Sequence, residues 1–319
     1  MKILIKNLDS ILTGVKTVAI GGHIRPDGDC VGSTLATYNY IKDNYPEIEV
    51  SIYLQPIQDY FLFLNRSDEI SWDLNEEKNF DLFIVHDCGA PDRLGDAIKY
   101  LKSAKKTACI DHHESNSGFA DFDYIFPKAS STCELIYELM DKSKVNKYIA
   151  ECLYVGMVHD TGVFQYSCTS KKTMMYAGDL MDMGIDYSKI VNDTFFAKTF
   201  NETRALGHAL EKSSLYLDGK VISSVFYISE MEDYGIKASE LDSVVSNLLR
   251  TEGCEVAVFM YEVAEGELKV STRSKGKVNV AKLALKYGGG GHDRAAGFTN
   301  YKSYEEGLED ILNELRDKI

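Results

Sequence analysis

One tryptophan, five prolines and no long unbroken apolar stretch set the first limits on this 319-residue chain. Crossing a bilayer takes about 18 or more apolar residues in a row, and no segment approaches that length. The opening residues MKILIKNLDSILTG interrupt their apolar run with Lys6, Asn7 and Asp9, so no signal-peptide core is expected. The seven cysteines include no Cys-x-x-Cys pair. Most sit inside apolar runs, as with Cys88 in FIVHDCGA, Cys109 in TACIDHH and Cys152 in ECLYVGM. That usage predicts buried structural thiols in a cytoplasmic protein, with no disulfide framework, no thiolate zinc site and no membrane partner. Basic residues are scarce as well: 35 Lys and Arg face 49 Asp and Glu, for a net charge of −14. Gripping long duplex nucleic acid takes many cationic phosphate contacts, so that partner is not expected. A small anion held locally, or a divalent cation, is compatible with the balance.

What the chain does have is an alternation of short β-rich runs with longer helical ones. KTVAIGGH (16–23), EVSIYLQ (49–55), DLFIVHD (81–87) and KTACIDHH (106–113) read as strands. A stretch from about Gly32 to Asn44, the run APDRLGDAIKYLKSA, then STCELIYELMDK and KYIAECLYVGMVHD read as helices. The alternation predicts an α/β domain built on a mainly parallel sheet. Periodicity weakens over 184–204, and the texture then changes. A strand at 220–229, a helix at 239–250 opened by Ser239 and a hairpin turning at Glu265-Gly266 come first. A helix near 280–286 and a terminal one around 303–317 complete a smaller α+β domain. The expected division is 1–188, a linker at 189–202, and 203–319.

Polar residues gather where the strands of the first half end. His23 closes the first run, with Asp27 and Asp29 following in a Pro/Gly loop; Asp87 closes DLFIVHD; Asp111, His112 and His113 close the fourth run. In an open parallel sheet the carboxyl ends of the strands share one edge, where ligands bind, so residues remote in sequence can converge. Asp160, at the end of an apolar helix before Thr161-Gly162, joins them. The set His23, Asp27, Asp29, Asp87, His112 and Asp160 combines four carboxylates with two imidazoles. Such a crowd of acids repels itself unless a cation intervenes. Oxygen and imidazole donors without thiolates suit Mn²⁺ or Mg²⁺. Two such ions sharing a carboxylate are the usual device for in-line displacement at phosphorus. Neighbours on an extended chain face opposite ways, so His112 and His113 are expected to do different work. His86 is expected to be packed on the face opposite Asp87, and His159 and His208 have no evident role. A second cluster lies in the later domain: Gly289, Gly290 and Gly291 expose bare amides before His292, and Arg273 stands at the hairpin edge. Together they read as a phosphate pocket.

These motifs resemble a known family. HIRPDGDCVGS, the Asp87 strand end, DHH and HDTGVF are similar to the four successive motifs of the DHH phosphoesterases. STRS, NVAKLA and GGGGHDRAAGF resemble the DHHA1 domain that accompanies them. In size the chain is similar to the family's short bifunctional members, oligoribonucleases that also dephosphorylate 3′,5′-bisphosphate nucleotides. The resemblance implies that His23, Asp27 and Asp87 hold one Mn²⁺. Asp29, Asp87, His112 and Asp160 would hold the other, with Asp87 bridging. It further implies that Asp87, His112 and His113 are catalytic, that His113 contacts the phosphate, and that Arg273 and His292 bind a terminal phosphate or nucleotide. The expected activity is Mn²⁺-dependent breakdown of very short RNA to mononucleotides and conversion of 3′-phosphoadenosine 5′-phosphate to AMP. Hydrolysis of cyclic di-AMP or pApA is the alternative activity, and a non-catalytic nucleotide- or RNA-binding module is the alternative of another class. The expected partners are short RNA or small nucleotides, and a homodimer is compatible with the resemblance. Two positions depart from the family pattern: Gln165 stands where Arg is frequent, and His159 where Thr or a similar residue is common before Asp160.

Overall fold

The computed structural model describes residues 3–74 and 78–319, apart from the side chains of Ile3 and His292. The chain is α/β and divides into two compact units, Met1–Ala197 and Lys198–Ile319.

The first unit opens with β1 (Ile3–Leu4), α1 (Leu8–Leu12), β2 (Thr17–Gly21), α2 (Gly28–Asn44) and β3 (Glu49–Tyr53). It continues with β4 (Leu82–His86), α3 (Ile98–Ser103), β5 (Thr107–Asp111), β6 (Phe122–Ile125) and α4 (Thr132–Leu139). The helices α5 (Lys147–Asp160), α6 (Lys171–Asp182) and α7 (Tyr187–Val191) complete it. All six strands are parallel, in the order β1-β6-β5-β4-β2-β3. The chain goes outward from β2 to β3, then returns across β2 to lay down β4. Strand order therefore reverses between β2 and β4, and the crevice at their carboxyl ends is where such a sheet binds ligands. Side-chain alternation splits each central strand between two cores. Ile20, Ile84 and Ile110 pack with the layer of α1, α2, α4 and α5. Ala19, Phe83 and Cys109 pack with Tyr100 on the other face.

Two elements start differently from expectation. Helix α2 begins at Gly28 rather than near Gly32, because Asp27 is its N-cap. Oδ1 of Asp27 accepts the N–H groups of Asp29 and Cys30, both at 3.1 Å, which satisfies donors that a helix start otherwise leaves open. Asp29 consequently lies in the first turn of a helix, not in a loop. The run 90–104 is mostly a 3₁₀ stretch, Pro91–Ala97, and only its end is the helix α3; Gly95, at φ 55°, breaks the helical path.

The second unit contains α8 (Phe200–Glu211), β7 (Ser214–Tyr216), β8 (Val221–Phe226), α9 (Ile228–Tyr234), α10 (Asp242–Leu249) and β9 (Val256–Ala264). Then come β10 (Glu267–Ser274), α11 (Val280–Lys286), β11 (Gly290–His292), β12 (Ala295–Asn300) and α12 (Tyr304–Leu315). Its mixed sheet runs β11-β12-β10-β9-β8-β7, with only the β8–β9 pair parallel. The β9–β10 hairpin turns at Glu265-Gly266 as the spacing predicts, with Gly266 at φ 73°. Helix α10 follows a 3₁₀ turn, Ala238–Leu241, and is not opened by Ser239. No helix among the described residues is long and apolar enough to cross a membrane.

Helices α2 and α5 cross closely because glycines face each other. A Cβ on Gly32 would stand 2.4 Å from the carbonyl oxygen of Cys152 and 3.1 Å from the nitrogen of Gly156. Those neighbours are backbone and cannot swing aside. Gly32→Ala is therefore expected to lower stability by about 1–3 kcal/mol, read as a lower denaturant midpoint at unchanged m-value. A loss within about 0.5 kcal/mol, the range of a surface change, would mean that the two helices separate freely.

Candidate metal centre

The order β5-β4-β2 puts Asp87 in the middle of three strand ends, with His23 beyond β2 on one side and His112 beyond β5 on the other. Its two oxygens face different imidazoles. Oδ2 lies 3.5 Å from Nε2 of His23, and Oδ1 lies 3.6 Å from Nε2 of His112. On the His23 side, Oδ2 of Asp27 is 3.6 Å from the same Nε2, while its Oδ1 is occupied by the helix cap. On the His112 side, Nε2 is 3.0 Å from Oδ2 of Asp160 and 4.0 Å from Oδ2 of Asp29. All six residues singled out from strand and helix ends thus meet in one cluster.

Helix α4 holds the deepest acid. Asp29 is fully buried, and its oxygens accept the N–H groups of Thr132 at 2.6 Å and Cys133 at 2.9 Å. A helix N-terminus favours an anion in that position. Each carboxylate oxygen has two lone pairs, so the Oδ2 facing His112 keeps capacity for a cation. Thr132 also donates its hydroxyl to Oδ1 of Asp87 at 3.2 Å, so one residue steadies both acids.

The electrostatics show how crowded the cluster is. Burial, reinforced by the charges of Asp160 and Asp87, pushes the Asp29 carboxyl well above the usual carboxylate range. Burial likewise lifts Asp160 to about 6 against the pull of His112. Burial would lower both imidazoles, but their carboxylate partners prevail. Asp27 and Asp87 raise His23 to about 10, and Asp160, Asp29 and Asp87 raise His112 to about 11. These acids seek positive charge, and a divalent cation supplies more of it than a proton. Several hard carboxylates with two imidazoles fit such an ion. Three overlapping donor groups stand close enough to hold one: His23 with Cys30 and Asp87, Asp87 with His112 and His113, and Asp29 with His112 and Asp160. The first contains a thiol, which the sequence reading left out of the set.

Comparisons with known proteins give the family. Residues 17–157 match the DHH family, N-terminal domain, and residues 218–319 match the DHHA1 domain. The Bacillus subtilis bifunctional oligoribonuclease and PAP phosphatase NrnA is 33% identical over 296 residues, 91% of each chain. The chain belongs to the DHH family. It is a phosphoesterase, which sets aside the non-catalytic binding module. The cyclic-di-AMP phosphodiesterase PdeA of Listeria monocytogenes is 28% identical over 91% of this chain, which spans 46% of that longer protein. A crystal structure of an exopolyphosphatase-related protein from Bacteroides fragilis superposes with a TM-score of 0.90 at 25% identity, covering 97% of this chain and 95% of the other.

Within the DHH domain the second histidine of the pair is held apart from the first. Nδ1 of His113 lies 2.7 Å from Oδ1 of Asp111, whose Oδ2 accepts from Asn116 at 2.7 Å. That hydrogen bond is the main reason the His113 pKa is raised, with burial opposing it. Asp111 had been given no role. The signal was in the sequence: the alternation that separates His112 from His113 puts residue 111 on the side of residue 113. Two other histidines also have places. His159 donates to or accepts from the Thr194 hydroxyl at 3.0 Å and packs on α2, where a Cβ on Gly28 would meet its ring at 2.3 Å. His208 lies 2.8 Å from a Glu230 oxygen. His86 is fully buried as expected, its ring nitrogens lack hydrogen-bond partners among the described residues, and burial lowers it to about 3.

The DHHA1 domain carries the second cluster. Arg273 sits on β10 between Ala257 and Ala295 of the neighbouring strands, and its Nη1 donates to the Thr272 carbonyl at 3.0 Å. The glycine run leads into β11 at the sheet edge, which takes in Gly290 and Gly291. A Cβ on Gly289 would stand 2.2 Å from the Gly297 carbonyl oxygen, and one on Gly291 2.4 Å from that of Ala295, so close strand packing requires these two glycines. A Cβ on Gly290 would meet open space. The backbone of His292 ends β11, and its side chain lies outside the described residues.

Because Asp111 raises the basicity of His113, Asp111→Asn should bring the His113 pKa down toward the ordinary histidine value. At any pH near neutrality His113 would then be less protonated. Ring-proton NMR titration of the two proteins measures this, and an unchanged His113 pKa would show that the carboxylate does not control it.

Proposed function

We propose that the chain is a Mn²⁺-dependent phosphoesterase that degrades very short oligoribonucleotides to mononucleotides and converts 3′-phosphoadenosine 5′-phosphate to AMP. The observation that carries this reading is Asp87, with one oxygen toward His23 and the other toward His112. A carboxylate placed so can serve two cations at once. The substrate class follows the printed activity of the Bacillus subtilis relative, which matches 91% of this chain. In this reading His23, Asp27 and Asp87 hold one ion, and Asp29, Asp87, His112 and Asp160 hold the other. Bound there, two divalent cations would neutralise the acids, orient phosphoryl oxygens and lower the pKa of a water for attack at phosphorus.

The protein's own residues do the rest. Asp87 fixes the spacing of the two halves. Asp111 accepts from Nδ1 of His113 and holds the ring, and in this reading Nε2 is the atom that meets the substrate. From there His113 stabilises charge that develops on the phosphoryl oxygens or passes a proton to the leaving oxygen. In the DHHA1 domain, Arg273 and the Gly289–Gly290–Gly291–His292 edge are assigned to the substrate's terminal phosphate or base, where bare amides and a guanidinium suit an anion. The second reading, hydrolysis of cyclic di-AMP or pApA, is favoured by the Listeria monocytogenes relative.

A panel compared by kcat/KM with Mn²⁺ tests the substrate. Short RNA of a few nucleotides and the bisphosphate nucleotide should lead, ahead of long RNA and cyclic di-AMP. A clear preference for cyclic di-AMP would move the function to the second reading. Chelation should abolish hydrolysis, and Mn²⁺ should restore it better than Ca²⁺, which prefers more ligands at longer distances.

Three variants separate the roles at the centre. Asp87→Ala should cut kcat by several orders of magnitude, and retention of more than about a tenth would remove its shared-ligand role. His112→Ala should lose bound Mn²⁺ and recover in part with excess metal. His113→Ala should keep its metal yet lose roughly 3–4 kcal/mol of transition-state stabilisation. Metal content by mass spectrometry, measured beside the kinetics, decides this; equal metal loss in both histidine variants would contradict the division of labour.

A further inference from the structure

The N-cap that places Asp27 also places a thiol. Cys30 lies three residues after Asp27, so the two share a face of α2. The Cys30 side chain is completely buried, and its Sγ points to the carbonyl oxygen of His23 at 3.9 Å. It fits there because the neighbouring position is Gly22, where a Cβ would stand 2.3 Å from the sulfur. Donor atoms of His23, Cys30 and Asp87 all lie within 4.8 Å of one another. Six of the seven cysteines are buried, yet among the described residues Cys30 alone joins such a donor group.

We propose that Cys30 is a conditional ligand: zinc-group cations entering the His23 side of the centre take its thiolate, whereas Mn²⁺ stays with oxygen and imidazole donors. The inference rests on the metal-centre reading above and extends it to which ions the centre discriminates. Thiolates are soft donors that select Zn²⁺ and its congeners, while hard ions such as Mn²⁺ and Mg²⁺ prefer oxygen. Zn²⁺ also favours four ligands in a tetrahedron; His23, Asp87 and Cys30 supply three with donor atoms within 4.8 Å of one another, and the fourth place is open to water or to Asp27, whose Oδ2 is 3.6 Å from His23. As the metal–sulfur bond forms, the S–H bond breaks and its proton leaves to solvent. Drawn toward the sulfur, a thiophilic ion would no longer share Asp87 on the terms that two hard ions do. The same pocket would therefore bind zinc-group metals tightly and in an altered geometry.

The chelator-stripped chain, loaded separately with Zn²⁺, Co²⁺ or Mn²⁺, provides the test. X-ray absorption of the Zn²⁺ form should contain a sulfur scatterer at about 2.3 Å. The Co²⁺ form should show a near-ultraviolet sulfur-to-metal charge-transfer band, and the Mn²⁺ form should contain only nitrogen and oxygen scatterers. Cys30→Ser, with Cys30→Ala as a second variant, should lose the sulfur signals, and Cys168→Ser, which changes the exposed cysteine, should keep them. Cd²⁺ affinity should fall on the order of tenfold or more in the Cys30 variants, with a much smaller change for Mn²⁺. Zn²⁺ bound by nitrogen and oxygen alone in the unaltered chain overturns this inference and leaves the metal centre standing. Sulfur signals that survive both Cys30 substitutions overturn it too, and failure of the chain to retain any metal overturns both readings.

Discussion

Mutual repulsion of acids governs the first unit. Two like charges about 4 Å apart cost about 4 kcal/mol at the effective dielectric of a protein site, and here four carboxylates share two imidazoles. Strand order supplies the first relief. With β4 between β5 and β2, Asp87 has an imidazole on either side, and each of its oxygens meets a different positive partner. Asp29, which sits deepest, is answered by the N-terminus of α4 instead of by a side chain. Sheet order, helix caps and charge are thus one arrangement, and the cation completes a balance the protein has already begun.

That logic explains which parts were legible in the sequence. His23, Asp87 and His112 follow apolar runs of strand length, so their placement at one sheet edge could be read from period and topology alone. Asp160 was legible because it ends an apolar helix. The helix start at Gly28 was missed because Asp27 was counted as a ligand only, whereas one of its oxygens caps α2 and the other faces His23. The supports were out of reach for a different reason. Thr132 meets Asp29 and Asp87 across 103 and 45 residues of sequence, separations at which no local pattern exists.

The glycine run shows a different shortfall, an incomplete cause. Bare amides suggested an anion site, but Gly289 and Gly291 are also demanded by strand packing, since a side chain there would strike the facing backbone. A glycine needed for close approach and a glycine needed for a ligand look the same in one sequence. Gly290, with open space over its Cα, is the position in that run where packing makes no such demand.

Backbone strain points to the same place as the charges. Among the described residues of the first unit, five non-glycine residues adopt positive φ, namely Arg25, Arg66, Asp87, Val163 and Phe164. Four of them adjoin the centre: Arg25 lies between His23 and Asp27, Asp87 is at its middle, and Val163 and Phe164 follow Asp160. A left-handed residue costs roughly 1–2 kcal/mol, and for a β-branched residue such as Val163 it is a genuine outlier. Such conformations persist where the surroundings over-determine them. Around Asp160 the determinant is Thr161, whose hydroxyl accepts the Phe164 N–H at 2.9 Å while its carbonyl accepts those of Gln165 and Tyr166, both at 2.9 Å. At Asp87 it is the N–H bond to the Ile110 carbonyl at 3.1 Å and the Thr132 hydroxyl on the side chain. The threonine of the Asp-Thr-Gly motif therefore serves as a backbone clamp. It holds a strained turn that keeps Asp160 aimed at His112, so geometry alone is reason enough for the motif's middle residue.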